Sequence, residues 1–259
     1  MRSFALATVL AAAFALAGTL TFVYLNPAEE VVEGPPPLQQ ADVETIVRDY
    51  LIENPEILEE VSIALQEKRI AEEAERRIAA IAENQEALFN SPLDHATGNL
   101  QGDVTVVEFF DYNCPYCKRG HADLVDLVAS DPNIRLVYKE FPVLGPGSVE
   151  ATRVALAAGR QGRYLDMHKR LITLRGPADT ETALAEARDL GLDMDQLEAD
   201  MQDPELMRAV EEAHRLAGEL GITGTPSYVV GDQVIVGAVG FAELQDQVAT
   251  AREETCVTC

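Results

Sequence analysis

Residues 104–120 read VTVVEFFDYNCPYCKRG, and the order of chemistry within them decides the fold. Val104, Val106, Val107, Phe109 and Phe110 form a run of β-branched and aromatic residues suited to a buried strand. Cys114-Pro115-Tyr116-Cys117 follows, and after Lys118 and Arg119 comes a long amphipathic stretch. A strand that runs through a CxxC into a helix puts its first cysteine at a helix N-terminus. There the unpaired backbone N–H groups and the positive end of the helix dipole favour an anion. For a cysteine that anion is the thiolate, the form that attacks disulfides.

Working outward, the 259 residues suffice for one substantial domain with accessory segments. With 44 acidic and 20 basic residues the net charge is −24, and no Lys/Arg cluster stands out, which argues against nucleic acid as a partner. Residues 4–25 carry no charge after Met1-Arg2-Ser3. Ala15-Leu16-Ala17 offers a small-residue cleavage site for a secretory signal, whereas the apolar continuation is long enough to span a bilayer as an uncleaved anchor. Both alternatives place the bulk of the chain in the periplasm or cell envelope, and the second ties it to the inner membrane. The even cysteine number agrees with an oxidising compartment. Residues 26–40, with Pro27, Pro35, Pro36 and Pro37, read as an extended linker.

Residues 41–89 are helix formers and charge. Val43, Ile46, Val47 and Tyr50 recur at helical spacing, and Asn54-Pro55-Glu56 marks a restart. Ile57, Leu58, Val61 and Leu65 then continue a narrow apolar stripe. The segment is either a solvated tether or a stalk through which copies of the chain associate, and the second is the expectation.

Beyond residue 90, past a loop that takes in Thr97-Gly98-Asn99, the pattern gives strands at 104–110 and 134–141. A turn at 142–147 and helices over about 149–220 follow, with breaks near Gly191 and at Asp203-Pro204. Strands at 227–230 and 233–236 flank the hairpin signal Gly231-Asp232, and a last helix runs from 241 to 254. A second motif, Gly224-Thr225-Pro226-Ser227, sits just before that hairpin. A cis Thr225–Pro226 bond fits such a turn, although X–Pro bonds are cis in only about one case in twenty.

FFDYNCPYC followed by GITGTPSYVV resembles the DsbA-like branch of the thioredoxin superfamily, the exported thiol–disulfide oxidoreductases, over roughly residues 93–251. The helical stalk is similar to that of the suppressor-of-copper-sensitivity and disulfide-isomerase subgroup, whose N-terminal helices oligomerise the enzyme. The resemblance implies an α/β thioredoxin fold over 90–255, with an inserted helical subdomain at about 149–220 and the stalk before it. It implies Cys114 as nucleophile and Cys117 as the buried resolving thiol. Thr225 and Pro226 would pack against the CxxC, and Pro115 and Tyr116 between the cysteines would meet substrate and set the redox poise. Tyr116 replaces the histidine often found there in strong oxidants, which argues against an extreme oxidising potential.

Glu108, six positions before Cys114, falls where the superfamily places a carboxylate beneath the active site, and is expected to relay a proton to or from Cys117. The alternative makes it an exposed or edge-strand residue. Lys139 is a candidate partner for it, and Asp111 and Asn113 are expected to cap the helix.

The chain closes with Cys256-Val257-Thr258-Cys259. This pair is a structural disulfide, an auxiliary redox pair exchanging electrons with Cys114/Cys117, or a soft site for Cu(I). A zinc site shared by the two pairs is disfavoured because Cys117 and Cys256 lie 139 positions apart. His95, His121, His168 and His214 show no ligand spacing. No cofactor and no resident metal are called for. The expected function is forming or isomerising disulfides in unfolded or disulfide-bonded secreted proteins, with a membrane redox partner and a homo-oligomeric state. The alternatives are an envelope copper-binding or copper-tolerance protein, and a module whose CxxC is a static disulfide.

Overall fold

A computed structural model describes residues 38–253. By its backbone contacts the chain divides into two compact units, residues 1–63 and 64–259. In the first unit, α1 (Gln40–Glu53) buries none of its residues, and α2 (Glu56–Glu83) begins after the turn at Asn54-Pro55. Val43, Ile46, Val47, Tyr50, Leu58 and Val61 all stay exposed. The division falls within α2, well before residue 89. The reason is packing: Ile81 near the end of α2, and Leu88 and Phe89 of the short α3 (Gln85–Phe89), are built into the core of the second unit.

The second unit is organised on a five-stranded mixed sheet of order β1-β3-β2-β4-β5. Its strands are β1 (His95–Gly98), β2 (Val104–Phe110), β3 (Ile134–Glu140), β4 (Ser227–Val230) and β5 (Gln233–Val236). β2 and β3 are parallel, joined by α4 (Pro115–Ser130), and every other pairing is antiparallel. The thioredoxin-type order is therefore present. β1 is an addition to the expectation: the four residues HATG, read as loop, pair with β3 and close that edge of the sheet. So short a segment with one apolar side chain carries no strand signal. At the other edge Gly231 takes φ 58°, the left-handed value that a two-residue hairpin turn asks of its first residue.

Alternation along the strands divides the core in two. Val104, Val106 and Phe110 of β2 join Ile134, Leu136 and Tyr138 of β3 on the face covered by α4. Val107, Phe109, Val137 and Val229 face the other way, onto Ile81, Leu88 and Phe89 and onto α9 (Arg208–Leu220) through Ala213, Leu216 and Leu220. The helices after β3 are α5 (Pro146–Arg160), α6 (Tyr164–Ile172), α7 (Thr180–Asp189) and α8 (Met194–Met201), with a 3-10 turn at Pro204–Met207. The expected insertion of 149–220 thus holds two kinds of helix. α5 to α8 pack with the α4-side core, while α9 also covers the opposite face. α10 (Phe241–Glu253) completes the described chain.

Candidate active site

The end of β2 delivers the CxxC to the first turn of α4, with Cys114 as the helix N-cap and Pro115 at the first helical position, where no N–H is needed. The Cys117 backbone N–H donates to Cys114 Sγ at 3.5 Å. The Cys114 thiol in turn donates to the Thr225 carbonyl at 3.1 Å, and the Thr225–Pro226 peptide is cis. So the two motifs that lie 111 positions apart form one site. Both cysteines are free thiols among the described residues; Cys114 is 4% exposed and Cys117 fully buried. Burial, with the Glu108 charge next in size, pushes the Cys117 thiol far above its ordinary value. Pro115 and Tyr116 project outward, and the Arg119 guanidinium lies 4.2 Å over the Tyr116 ring.

Glu108 sits in the central strand, 2% exposed, opposite Tyr138 on one side and Tyr228 on the other. Its parity puts it on the face that carries α4 and Cys117, so the exposed-strand alternative does not hold. Burial, and then the Glu140 carboxylate, raise its pKa to about 8, and no hydrogen bond from the described residues offsets them. Lys139 is not its partner. The parallel register sets Lys139 opposite Phe109, so it points to the other face, where it pairs with Asp94 and Glu212 and donates to the Ala87 carbonyl.

Asp111 and Asn113 do not cap α4, a place Cys114 takes itself. Asp111 Oδ1 accepts from the Asn113 N–H (2.7 Å) and the Ser148 hydroxyl (2.8 Å), and Oδ2 from the N–H groups of Val143 (2.8 Å) and Leu144 (2.9 Å). Asn113 exchanges two bonds with Ala178, at 2.7 and 2.8 Å. Lys118 Nζ donates to the carbonyls of Leu174 (2.8 Å) and Gly176 (2.9 Å). Together these residues fasten the start of α4 to the segments at 141–147 and 173–179.

A second buried carboxylate escaped the sequence reading. Glu140 accepts from the hydroxyls of Tyr112 (2.7 Å), Tyr164 (2.8 Å) and Thr152 (2.8 Å), and burial lifts its pKa to about 7 in spite of them. Its signal was available, since Glu140 shares the parity of Ile134, Leu136 and Tyr138. Gly120 was also passed over. A Cβ there would come within 2.9 Å of the Tyr228 hydroxyl, so glycine lets α4 approach β4. Cys256 and Cys259, like residues 4–25, lie outside the described residues.

The arrangement can carry out thiol–disulfide exchange: one thiol at a helix N-terminus, a second held protonated below it, and a carboxylate beneath that titrates near neutral pH. Residues 105–249, more than half of the chain, match the DSBA-like thioredoxin domain, and residues 39–72 match the N-terminal domain of the copper resistance protein ScsC. A thioredoxin-like oxidoreductase from Silicibacter pomeroyi is 49% identical, covering 66% of this chain and 98% of its own, with a TM-score of 0.64. ScsC of Proteus mirabilis in a transitional conformation is 29% identical, covering 85% of this chain and 99% of its own, with a TM-score of 0.63. Among curated proteins, a Na(+)/H(+) antiporter NhaA of Salinispora arenicola is 30% identical over 160 residues, 61% of this chain. The chain spans about a quarter of the length of such relatives (24% in that case).

Proposed function

This chain belongs to the DSBA-like thioredoxin family, a family of redox enzymes, and on that basis we propose that it forms or isomerises disulfides in cell-envelope proteins through a mixed disulfide at Cys114. The carrying observation is the Cys114 thiol, held at a helix N-cap between the Cys117 N–H and the Thr225 carbonyl with Cys117 buried below. In the reducing direction the Cys114 thiolate attacks a substrate disulfide. An S–S bond forms to one substrate sulfur and the other leaves as a thiolate. Cys117, deprotonated with Glu108 accepting the proton, then attacks Cys114 Sγ, expels the substrate sulfur and closes the Cys114–Cys117 disulfide, so two electrons pass to the substrate. Run backwards, the steps oxidise a substrate dithiol, and Cys117 leaves as a thiolate that Glu108 protonates. If a substrate thiolate attacks the mixed disulfide before Cys117 does, the substrate is isomerised with no net electron transfer.

Substrates are unfolded or disulfide-bonded secreted proteins. They meet Pro115, Tyr116, Thr225 and Pro226, beside the exposed Val143 and Leu144 of the loop held by Asp111. The uncharged segment 4–25 supports export, with an inner-membrane anchor and a membrane redox partner as parts of the same proposal. Among the described residues no helix is long and apolar enough to cross a membrane. The exposed stripe of α1 and α2, with the ScsC-type match over it, supports a homo-oligomer, and several Cys114 thiols on one particle favour reshuffling over net oxidation. Copper tolerance through the thiols is the weaker reading, since residues 39–72 contain no Cys, His or Met.

Refolding of a scrambled, disulfide-bonded substrate tests the proposal. The wild-type chain accelerates it, Cys114→Ala abolishes the effect, and Cys117→Ala accumulates a substrate adduct of Cys114 detectable by mass. Full activity in Cys114→Ala sinks the assignment. Stoichiometric Cu(I) binding with negligible exchange activity transfers the case to copper.

A further inference from the structure

Glu140 is the last residue of β3, 2% exposed, and none of the exchange steps uses it. Three hydroxyls converge on it from separate segments: Tyr112 from the approach to the CxxC, Thr152 from α5 and Tyr164 from α6. Each donor is itself buried. Three donors aimed at two carboxyl oxygens favour the charged form. Tyr112 stands two residues before Cys114, so this carboxylate is tied directly to the catalytic loop.

The parallel register brings Glu140 close to Glu108. Glu108 lies opposite Tyr138 and Phe110 opposite Glu140, so the two carboxylates share a face and are diagonal neighbours on adjacent strands. Strand spacing and rise set their Cα atoms about 8 Å apart. Both side chains are shut off from water, so a charge on one disfavours a charge on the other.

The groups packed around the pair supply no countercharge among the described residues. Around Glu108 stand Tyr138 on β3, Tyr228 on β4 and Cys117 on α4, all held protonated chiefly by burial. Around Glu140, Asp111 adds a negative charge, and the Tyr112 and Tyr164 hydroxyls keep their protons. His95 and His168, packed on Tyr164 and Tyr112, are kept uncharged by burial. Lys139 points to the opposite face. The order of the two carboxyls agrees: about 7 for Glu140, which has its hydroxyls, and about 8 for Glu108, which lacks them.

Taking Glu108 as the proton carrier of the Cys114–Cys117 exchange, we propose that Glu140 is a positioning residue for that reaction: a charge fixed by three hydroxyls that makes Glu108 the stronger base towards the Cys117 thiol. The Cys117 proton passes to Glu108 as Cys117 Sγ attacks Cys114 Sγ. The substrate sulfur leaves with the electron pair, and Glu140 gives up and takes up nothing.

The test follows Glu108 directly, by carbon NMR of the side-chain carboxyls in the full reduced chain, alongside the stopped-flow pH profile of substrate release from the mixed disulfide. Glu140→Gln keeps the shape and an acceptor oxygen and removes the charge. The Glu108 midpoint and the release inflection should both move down by at least about half a pH unit. The rate plateau above the inflection should fall about two- to three-fold. Tyr112→Phe, which withdraws one hydroxyl, should move both the same way by less, and should move neither further when added to Glu140→Gln. A residue that only fills space would leave midpoint and inflection in place in both variants, and that result overturns the proposal. So does an upward move in either variant, or full additivity in the double. If Glu140→Gln does not fold, the Tyr112→Phe shift decides. The relay itself is tested apart from this. A Glu108→Gln chain that keeps its release inflection removes the proton carrier, whereas a lost inflection there with an unmoved one in Glu140→Gln removes the role of Glu140 alone.

Discussion

Glu108 shows how a strand position becomes chemistry. A carboxyl that titrates at about 8 instead of 4.5 keeps its proton in the folded chain across a range in which the unfolded chain releases it. The folded state then holds more protons, so this group's contribution to stability falls as pH rises from 4.5 to 8. Glu108→Gln removes that decline. Thermal melts should show the variant gaining on the wild type over this range, by a few kcal/mol near pH 8 to 9 and by nothing near pH 4.5. Glu140, raised to about 7, leaves a smaller decline of the same sign. Activity moves the other way: stopped-flow release of substrate from the mixed disulfide should slow roughly 10- to 100-fold at pH 8 in Glu108→Gln and lose its inflection near that pH. The position of Glu108, six residues before Cys114, was legible in the sequence. Its supposed pairing with Lys139 was not, because whether two residues on neighbouring strands share a face depends on register, and only the sheet supplies that. Glu140 could have been found by parity alone, but its three hydroxyl partners come from Tyr112, Thr152 and Tyr164, on segments that sequence spacing cannot bring together.

The strand–CxxC–helix unit was readable because each part carries its own signal: β-branched residues, a proline at the first helical position, an amphipathic stripe after it. β1 was not, because its place depends on pairing with β3 and not on its own composition. The joints between elements were equally silent. Asp111 looks like a helix cap in the sequence, yet it gathers four donors and holds the 141–147 loop against the end of β2. Asp111→Ala leaves three backbone N–H groups without partners and should cost about 3 kcal/mol, measured by urea unfolding. Asp111→Asn should recover little, since its amide sets an N–H₂ against N–H donors. Lys118→Met should speed hydrogen exchange at 173–179 with a much smaller loss of global stability, because Lys118 Nζ bonds two carbonyls of that loop.

For the molecule as a whole, the stripe on α1 and α2 leaves Val43, Ile46, Val47, Tyr50, Leu58 and Val61 uncovered in the described chain. Val47→Glu with Val61→Glu in the full chain should lower the light-scattering mass to that of a monomer, while Cys114 keeps its reactivity towards a small disulfide. A monomeric wild-type chain would remove the oligomer from the proposal. Where the units divide was not legible, because the stripe thins gradually and only packing reveals that Ile81, Leu88 and Phe89 belong to the core. The hydrogen bond from Cys114 to Thr225 also imposes an order in time. A ribosome adding about 5 to 20 residues per second releases the nucleophile several seconds before the carbonyl that will accept its hydrogen bond. During that interval α4 and the parallel β2–β3 pair can assemble, but β4 does not yet exist to flank β2. The newborn chain therefore passes through a stage in which its most reactive sulfur has a helix behind it and nothing in front.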